Sequence, residues 1–176
     1  MPAHTSHNVR PTDDLAAQFQ RLNQRITSLE RSSSSGATIP ASMPLGFVGY
    51  DRATTTLVIA SGARRTLGVR VTWTADPTRR YRTMLMISRM DQTVAGPSNN
   101  ELSICSSSAG TTRLAVAEMS LAVNGRGHLM TWLVESGLSG SVTREGFMEA
   151  SAGTVNVVAN AVEAGSRILV EDIGAA

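Results

Sequence analysis

The chain has no lysine, one cysteine, few aromatic residues, no long apolar run and almost no net charge, and each shortage narrows its function. Cys105 alone cannot form an intramolecular disulfide, and a zinc site would find no second thiolate. No stretch approaches the roughly 18 consecutive apolar residues of a membrane span. Residues 1–10 are polar and lack the hydrophobic segment of a signal peptide, so the expectation is a protein made in a host cytoplasm. All cationic side chains are arginine, 16 against 14 acidic residues, for a net charge of +2. A nucleic-acid binder gathers a basic surplus on one face, so neither nucleic acid nor membrane is an expected partner. The missing lysine reads as the codon bias of a GC-rich genome. Aromatics are 4% of residues against an apolar fraction of 41%, so core bulk must come from Ala, Val, Thr and other small or β-branched side chains. That mixture favours strands joined by short turns over a helical bundle.

What is present divides the 176 residues into an appendage and one domain. Residues 1–11 are polar, with prolines at 2 and 11, and read as a flexible arm. A helix is predicted over 12–31, capped by Thr12 or Asp13, with Asp13 and Asp14 in the first turn where the helix dipole favours negative charge. Leu15, Phe19, Leu22, Ile26 and Leu29 then recur at steps of four and three. This is a heptad seam, with Phe19 and Ile26 at a and the three leucines at d. A helix packed on its own domain usually carries a wider apolar stripe. Ser32–Ser35 and Gly36 open a linker, taken as 32–44, that would let a coiled coil stand clear.

Arg25 at g, Ile26, Leu29 and Glu30 at e form an Arg-apolar-x-x-apolar-Glu sequence that resembles a short trimerisation motif of three-stranded coils. The arginine stem can cover the seam while its guanidinium pairs with a glutamate on the next helix. Ile at a with Leu at d leans by itself toward dimers; the motif favours a trimer. A coil of about 18 residues is too short to hold alone, so the heads must add contacts.

From Leu45 onward the period changes to two. Val69, Val71 and Trp73 alternate with Arg70, Thr72 and Thr74; Tyr81, Thr83, Leu85 and Ile87 alternate with Arg82, Met84, Met86 and Ser88. Val155, Val157 and Ala159, and then Ile168, Val170 and Asp172, continue the pattern. Asp76-Pro77, Gly96-Pro97, Gly110, Asn124-Gly125, Gly153 and Gly165 mark turns. Asn124-Gly125 predicts a hairpin between 114–123 and 128–135. About eight strands are expected at this spacing, a mainly β head over 45–176 built as an antiparallel β-sandwich or jelly-roll-like fold. The pattern does not choose between sandwich and barrel.

Chemistry-bearing motifs are scarce. His4 and His7 lie in the arm and His128 follows a turn, with no His-x-x-x-His or Cys-x-x-Cys spacing, so no metal or other cofactor is implied. Gly137-Leu138-Ser139-Gly140-Ser141 lacks the glycine placement and α/β context of a nucleophile elbow and reads as a loop. Asp13-Asp14 and Glu171-Asp172 are the close acidic pairs, and no catalytic residue is nominated. Glycosidase carboxylates can be distant in sequence, which leaves a small cell-wall hydrolase as an alternative. Arg64-Arg65 and Arg79-Arg80 with Arg82 are read as a solvated strand edge that blocks aggregation, with an anion site as the alternative. Trp73, Tyr81, Trp132 and Phe147 are the aromatic candidates for a glycan surface.

Four segments, in order, carry a family resemblance: Ile26-Thr27-Ser28-Leu29-Glu30-Arg31, Gly46-Phe47-Val48-Gly49-Tyr50, Thr93-Val94-Ala95-Gly96 and Ile168-Leu169-Val170-Glu171-Asp172-Ile173-Gly174. Through their order and spacing the chain resembles small structural proteins of tailed phages of actinobacteria, often described as minor tail proteins. The resemblance implies a non-enzymatic virion component, homotrimeric and tail-associated. A capsid decoration protein at threefold positions is the alternative, and a carbohydrate-binding adsorption module a second. It implies as partners further copies of the chain and other virion proteins of tail or capsid, with a host surface glycan in the adsorption reading. The arm residues Met1, Pro2, Ala3, His4, Thr5, Ser6 and His7 are the expected virion-docking segment.

Overall fold

The computed structural model describes residues 43–93, 98–106, 110, 112–159 and 165–176. The arm, the heptad seam and the linker up to residue 42 lie outside the described residues, and so does the virion-docking segment. Among the described residues the elements are ten strands: β1 (Gly46–Ala53), β2 (Leu57–Ala60), β3 (Arg64–Ala75), β4 (Arg79–Gln92), β5 (Ser98–Cys105), β6 (Arg113–Leu121), β7 (Arg126–Ser136), β8 (Gly140–Ala150), β9 (Thr154–Val157) and β10 (Ser166–Ala175). All pairings between these strands are antiparallel.

The strands form two sheets. One has the order β1-β10-β4-β9-β2, with β7 also paired to β4; the other runs β3-β8-β5-β6. β4 is 14 residues long and organises the first sheet. β7 follows it along one side, while on the other β10 pairs with Arg79–Ile87 and β9 takes over at Met90–Gln92. The inward residues of both sheets merge into one core. Val69, Val71 and Trp73 of β3 and Tyr81, Leu85 and Ile87 of β4 are buried, as the period-two alternation implies. The predicted strand from Thr154 is shorter than its sequence pattern and ends at Val157.

Bulges decide which side chains share a face. The β1–β10 register shifts between Phe47 and Gly49, and the β4–β7 register between Ile87 and Met90. Each extra residue inverts the alternation beyond it. In β3 the slip between Thr66 and Arg70 contains Gly68 at φ 69°, a left-handed conformation that suits glycine. Glu145 ties this bulge: Thr66 Oγ1 donates to Oε1 at 2.7 Å, and Arg70 Nε and Nη2 donate to Oε2 at 3.0 and 2.9 Å.

The hairpin predicted at Asn124-Gly125 does not form. The chain turns there, but β6 pairs with β5 and β7 with β4, so the connection carries the chain from one sheet to the other. A two-residue type I′ hairpin needs φ > 0 at both central residues. Here the turn is shifted by one residue: Gly125 N–H donates to Ala122 O at 2.8 Å, and Asn124 alone of the central pair has positive φ, at 58°. Positive φ at the third position is a type II pattern, which splays flanking strands instead of pairing them. Replacing Asn124 with Val is expected to cost about 1–2 kcal/mol, because a β-branched residue resists this conformation. Replacing it with Gly should leave the urea midpoint almost unchanged. A Val variant as stable as the parent would refute the assigned backbone.

Candidate functional site

The residues singled out by their chemistry are mostly tied into the structure. Arg79 and Asp172 form a buried ion pair, with side chains 8% and 2% exposed and Arg79 Nε 2.6 Å from Asp172 Oδ2. Arg79 Nη2 also donates to Met43 O at 2.7 Å, fastening the incoming chain. Burial acts to raise the pKa of Asp172. The Arg79 hydrogen bonds, the Gly174 N–H, the Arg79 charge and the Leu45 N–H outweigh it and hold the carboxyl below the usual range. Glu171 accepts from Arg82 Nε at 3.0 Å. Both members of the last acidic pair are therefore occupied by arginine.

This corrects the reading of the Arg79-Arg80-Arg82 group as a strand edge. β4 lies between β10 and β7, and Arg79 points into the domain. Arg64 and Arg65 do sit on an outermost strand, β3. Even so, Arg64 Nη2 is hydrogen-bonded to Ser103 Oγ and Cys105 Sγ, both at 3.0 Å, and its guanidinium lies 5.4 Å from the Phe147 ring centroid. Gly137 and Gly140 both take positive φ in the β7–β8 connection, as suits the loop expected there.

Of the four aromatic candidates, three are buried, two of them in the core and Phe147 beneath Arg64. Trp73 and Tyr81 pack with ring centroids 5.7 Å apart, and Phe147 is buried. The exception is Trp132, which is 58% exposed. It lies on the outward face of the six-stranded sheet. There the registers Tyr50↔Leu169, Leu169↔Met84 and Met84↔Trp132 place four apolar side chains in one row across β1, β10, β4 and β7. At about 4.8 Å between strands such a row spans roughly 14 Å.

Two further rows flank it. Arg52, Arg167, Met86 and Met130 lie on one side, and Phe47, Glu171, Arg82 and Val134 on the other. Phe47 joins this face only because of the β1 bulge, since it and Tyr50 are three residues apart and would otherwise point to opposite sides. Gly49, between them, faces inward so tightly that a Cβ would stand 2.4 Å from Val71 Cγ1. Tyr50, Met84, Met86, Met130, Arg167 and Leu169 line a shallow depression of about 250 Å³.

The outward face of the four-stranded sheet carries polar pairs beside exposed Leu114 and Val116 of β6. On the four-stranded sheet, Thr72 and Thr143 share a hydrogen bond, Arg70 pairs with Glu145, and Arg113 pairs with Glu101 and Glu149. On the six-stranded sheet the exposed side chains include Phe47, Tyr50, Met130, Trp132 and Val134 together with Arg52, Arg80 and His128. Arg52 and Arg167 oppose one another across β1 and β10, and among the described residues neither is ion-paired to a carboxylate. Arg167 Nη2 donates to Ser88 Oγ at 3.1 Å, while its buried Nε has no hydrogen-bond partner. Such a face suits contact with another surface better than chemistry. Among the described residues no group of three or more His, Cys, Asp or Glu side chains is placed to hold a metal ion.

No family model and no curated protein matches the chain. Among solved structures it is similar to dimeric latent PorU from Porphyromonas gingivalis, with TM-score 0.43 and 8% identity over 78% of this chain and 14% of that one. A chain of the infectious bursal disease virus Gx strain overlaps with TM-score 0.41 and 12% identity, over 74% of this chain and 39% of the other. A carbohydrate-binding module of a Cellvibrio mixtus lichenase, solved with cellotriose, gives TM-score 0.34 and 14% identity over 74% and 89%. The chain thus spans well under half the length of the first two, and overlaps this loose carry no functional argument.

Proposed function

We propose that this chain is a non-enzymatic structural protein of a bacteriophage virion, a homotrimer joined by an N-terminal coiled coil and presenting a β-sandwich head. The observation that carries the reading is the apolar outer face of the six-stranded sheet, a surface built for contact on a domain whose core is already closed. Its support from sequence is the heptad seam with its Arg25 and Glu30 pair, and the resemblance to actinobacteriophage minor tail proteins. A tail-associated position follows the resemblance. Capsid decoration at threefold positions is the alternative, and immunogold labelling of particles separates the two: gold on the tail fits the first, gold on the capsid shell the second.

Replacing both Ile26 and Leu29 with Ser removes an a and a d contact from every helix and should shift a trimer toward monomer by tenfold or more, since each buried aliphatic side chain contributes about 1.5–3 kcal/mol. Sedimentation velocity at several concentrations reads the shift. Trimers of unchanged stability would remove the role given to the seam.

A second reading, a glycan-binding adsorption head, is favoured by one observation: Trp132 and Tyr50 are exposed in the same row. Aromatic faces exposed in this way suit sugar rings. Saturable binding on a glycan array, lost in Trp132→Ala, would support it. An array with no binding would leave the architectural reading alone.

A further inference from the structure

We infer that the outer face of the six-stranded sheet binds an acidic glycan. Sugar rings lie over Trp132, and carboxylate or phosphate groups on the glycan meet arginines at one end of the face. This rests on the glycan reading above and adds the charge and the placing of the ligand. Three observations carry it.

The first is charge. Arg52, Arg80, Arg82, Arg89, Arg126 and Arg167 lie on this face, against two carboxylates among the described residues, Glu171 and Asp91. Six arginines against two carboxylates leave a surplus of four, larger than the net +2 of the whole chain. Glu171 is taken by Arg82, and Asp91 by Arg89, with Arg126 3.7 Å away. Asp51, next to Arg52 in sequence, is turned toward β3, where it accepts the Arg70 N–H at 2.8 Å.

The second is register. Arg52 and Arg167 are cross-strand partners, and like charges directly opposite one another on antiparallel strands repel. An anion between the two guanidiniums relieves that repulsion, and a carboxylate or phosphate supplies the paired oxygens that arginine binds best.

The third is shape. Beside the depression of about 250 Å³ lies a more open one of about 440 Å³, lined by Ser88, Arg89, Arg126, Gly127 and His128. The two adjoin along the strands, since Met86 and Ser88 on β4, and His128 and Met130 on β7, are alternate residues of one face. Arg167 joins them: it lines the first, and its Nη2 donates to Ser88 Oγ of the second at 3.1 Å. One half of the groove offers thioethers, Tyr50 and Trp132 to the apolar faces of sugar rings, and the other offers cations to acid groups. A single-stranded nucleic acid carries a phosphate at every nucleotide and calls for cations along its whole path. The row of Tyr50, Leu169, Met84 and Trp132 has none, which favours a ligand with uncharged ring faces.

The experiment is calorimetric titration of the full chain. Oligogalacturonate supplies the carboxylate, phosphomannan fragments the phosphate, and cello-oligosaccharide the neutral rings. An acidic glycan should bind about tenfold or more tightly than the neutral one, and the difference should shrink as salt rises. Whether oligogalacturonate or phosphomannan binds more tightly identifies the acid group. Arg52→Gln, Arg126→Gln and Trp132→Ala should each weaken that binding roughly tenfold. Arg65→Gln, the same loss of charge at an exposed site on β3, should leave it nearly unchanged. All four sites are exposed, so melting temperatures should stay near the parent's and exclude misfolding.

Equal affinity for neutral and acidic glycans would overturn this inference and leave the glycan reading standing. No binding of any of the three would overturn both. Acidic-glycan binding that is unchanged in Arg52→Gln and Arg126→Gln, or weakened as much by Arg65→Gln, would put the acid groups elsewhere and overturn it. Tighter binding of oligodeoxythymidylate than of either acidic glycan would assign the face to nucleic acid instead.

Discussion

Replacing Asp172 with Asn is expected to lower the melting temperature by about 10 °C, the shift that a loss of about 3 kcal/mol gives in a chain of this size. The carboxylate is almost completely buried and receives two hydrogen bonds from Arg79, Nε at 2.6 Å and Nη2 at 2.7 Å, with a third from Gly174 N–H at 2.9 Å. The neutral amide keeps the shape but strips the partner from a buried guanidinium, and it is the abandoned charge that is costly. The change also loosens the attachment of Met43, which the same guanidinium holds.

The pH dependence follows from the direction of the shift. The folded pKa of Asp172 lies below its unfolded value of about 3.9. Its contribution is therefore complete above that value and is lost as pH falls through the folded one. Asp91, held down by hydrogen bonds from Arg89, and Asp76, held down by the Thr78 N–H and hydroxyl, act in the same direction. Melting temperatures should fall steadily from about pH 4 downward, and less steeply in Asp172→Asn than in the parent. Equal slopes in the two proteins would show that the pair is not linked to folding.

The second large effect lies at the centre of the core. Leu85 is completely buried, and a Cβ on Gly146 would stand 2.7 Å from Leu85 Cδ1 and 2.9 Å from Val69 Cγ2. Leu85→Ala should cost about 3 kcal/mol, and Gly146→Ala alone about 1–2 kcal/mol through overpacking. Combined, they should cost at least about 1 kcal/mol less than their sum, because the new methyl enters the space that Leu85 vacates. Urea denaturation of the four proteins closes the cycle. Strict additivity would mean that the two sheets do not meet at Leu85 and Gly146 as described.

How much of this was legible from sequence depended on whether a feature was local. The alternations in β3, β4 and β10 were readable because each residue's face follows from its neighbours, and burial of Val69, Leu85 and Ile168 follows from them. The turn at Asn124 was readable as a turn but not as a crossing between sheets. Asn-Gly marks where the chain reverses, and the one-residue shift that splays the strands depends on which partner each strand finds. The apolar row on the outer face of the six-stranded sheet was hidden for the same reason. Phe47 reaches it through a bulge, and Met84, Leu169 and Trp132 are brought together by strand order alone. Arg79 and Asp172, 93 positions apart, carried no sequence signal of their pairing. Arg52 and Arg167 are still farther apart in sequence and meet only through the β1–β10 register.

The most direct measurement of the central claim is the mass of the intact chain in solution, by sedimentation equilibrium or light scattering. The expected result is three times the 18.6 kDa chain, falling toward a single chain when residues 1–35 are removed. A full-length protein that stays at 18.6 kDa at every concentration would contradict the trimer, and with it the reading of this chain as an oligomeric virion component.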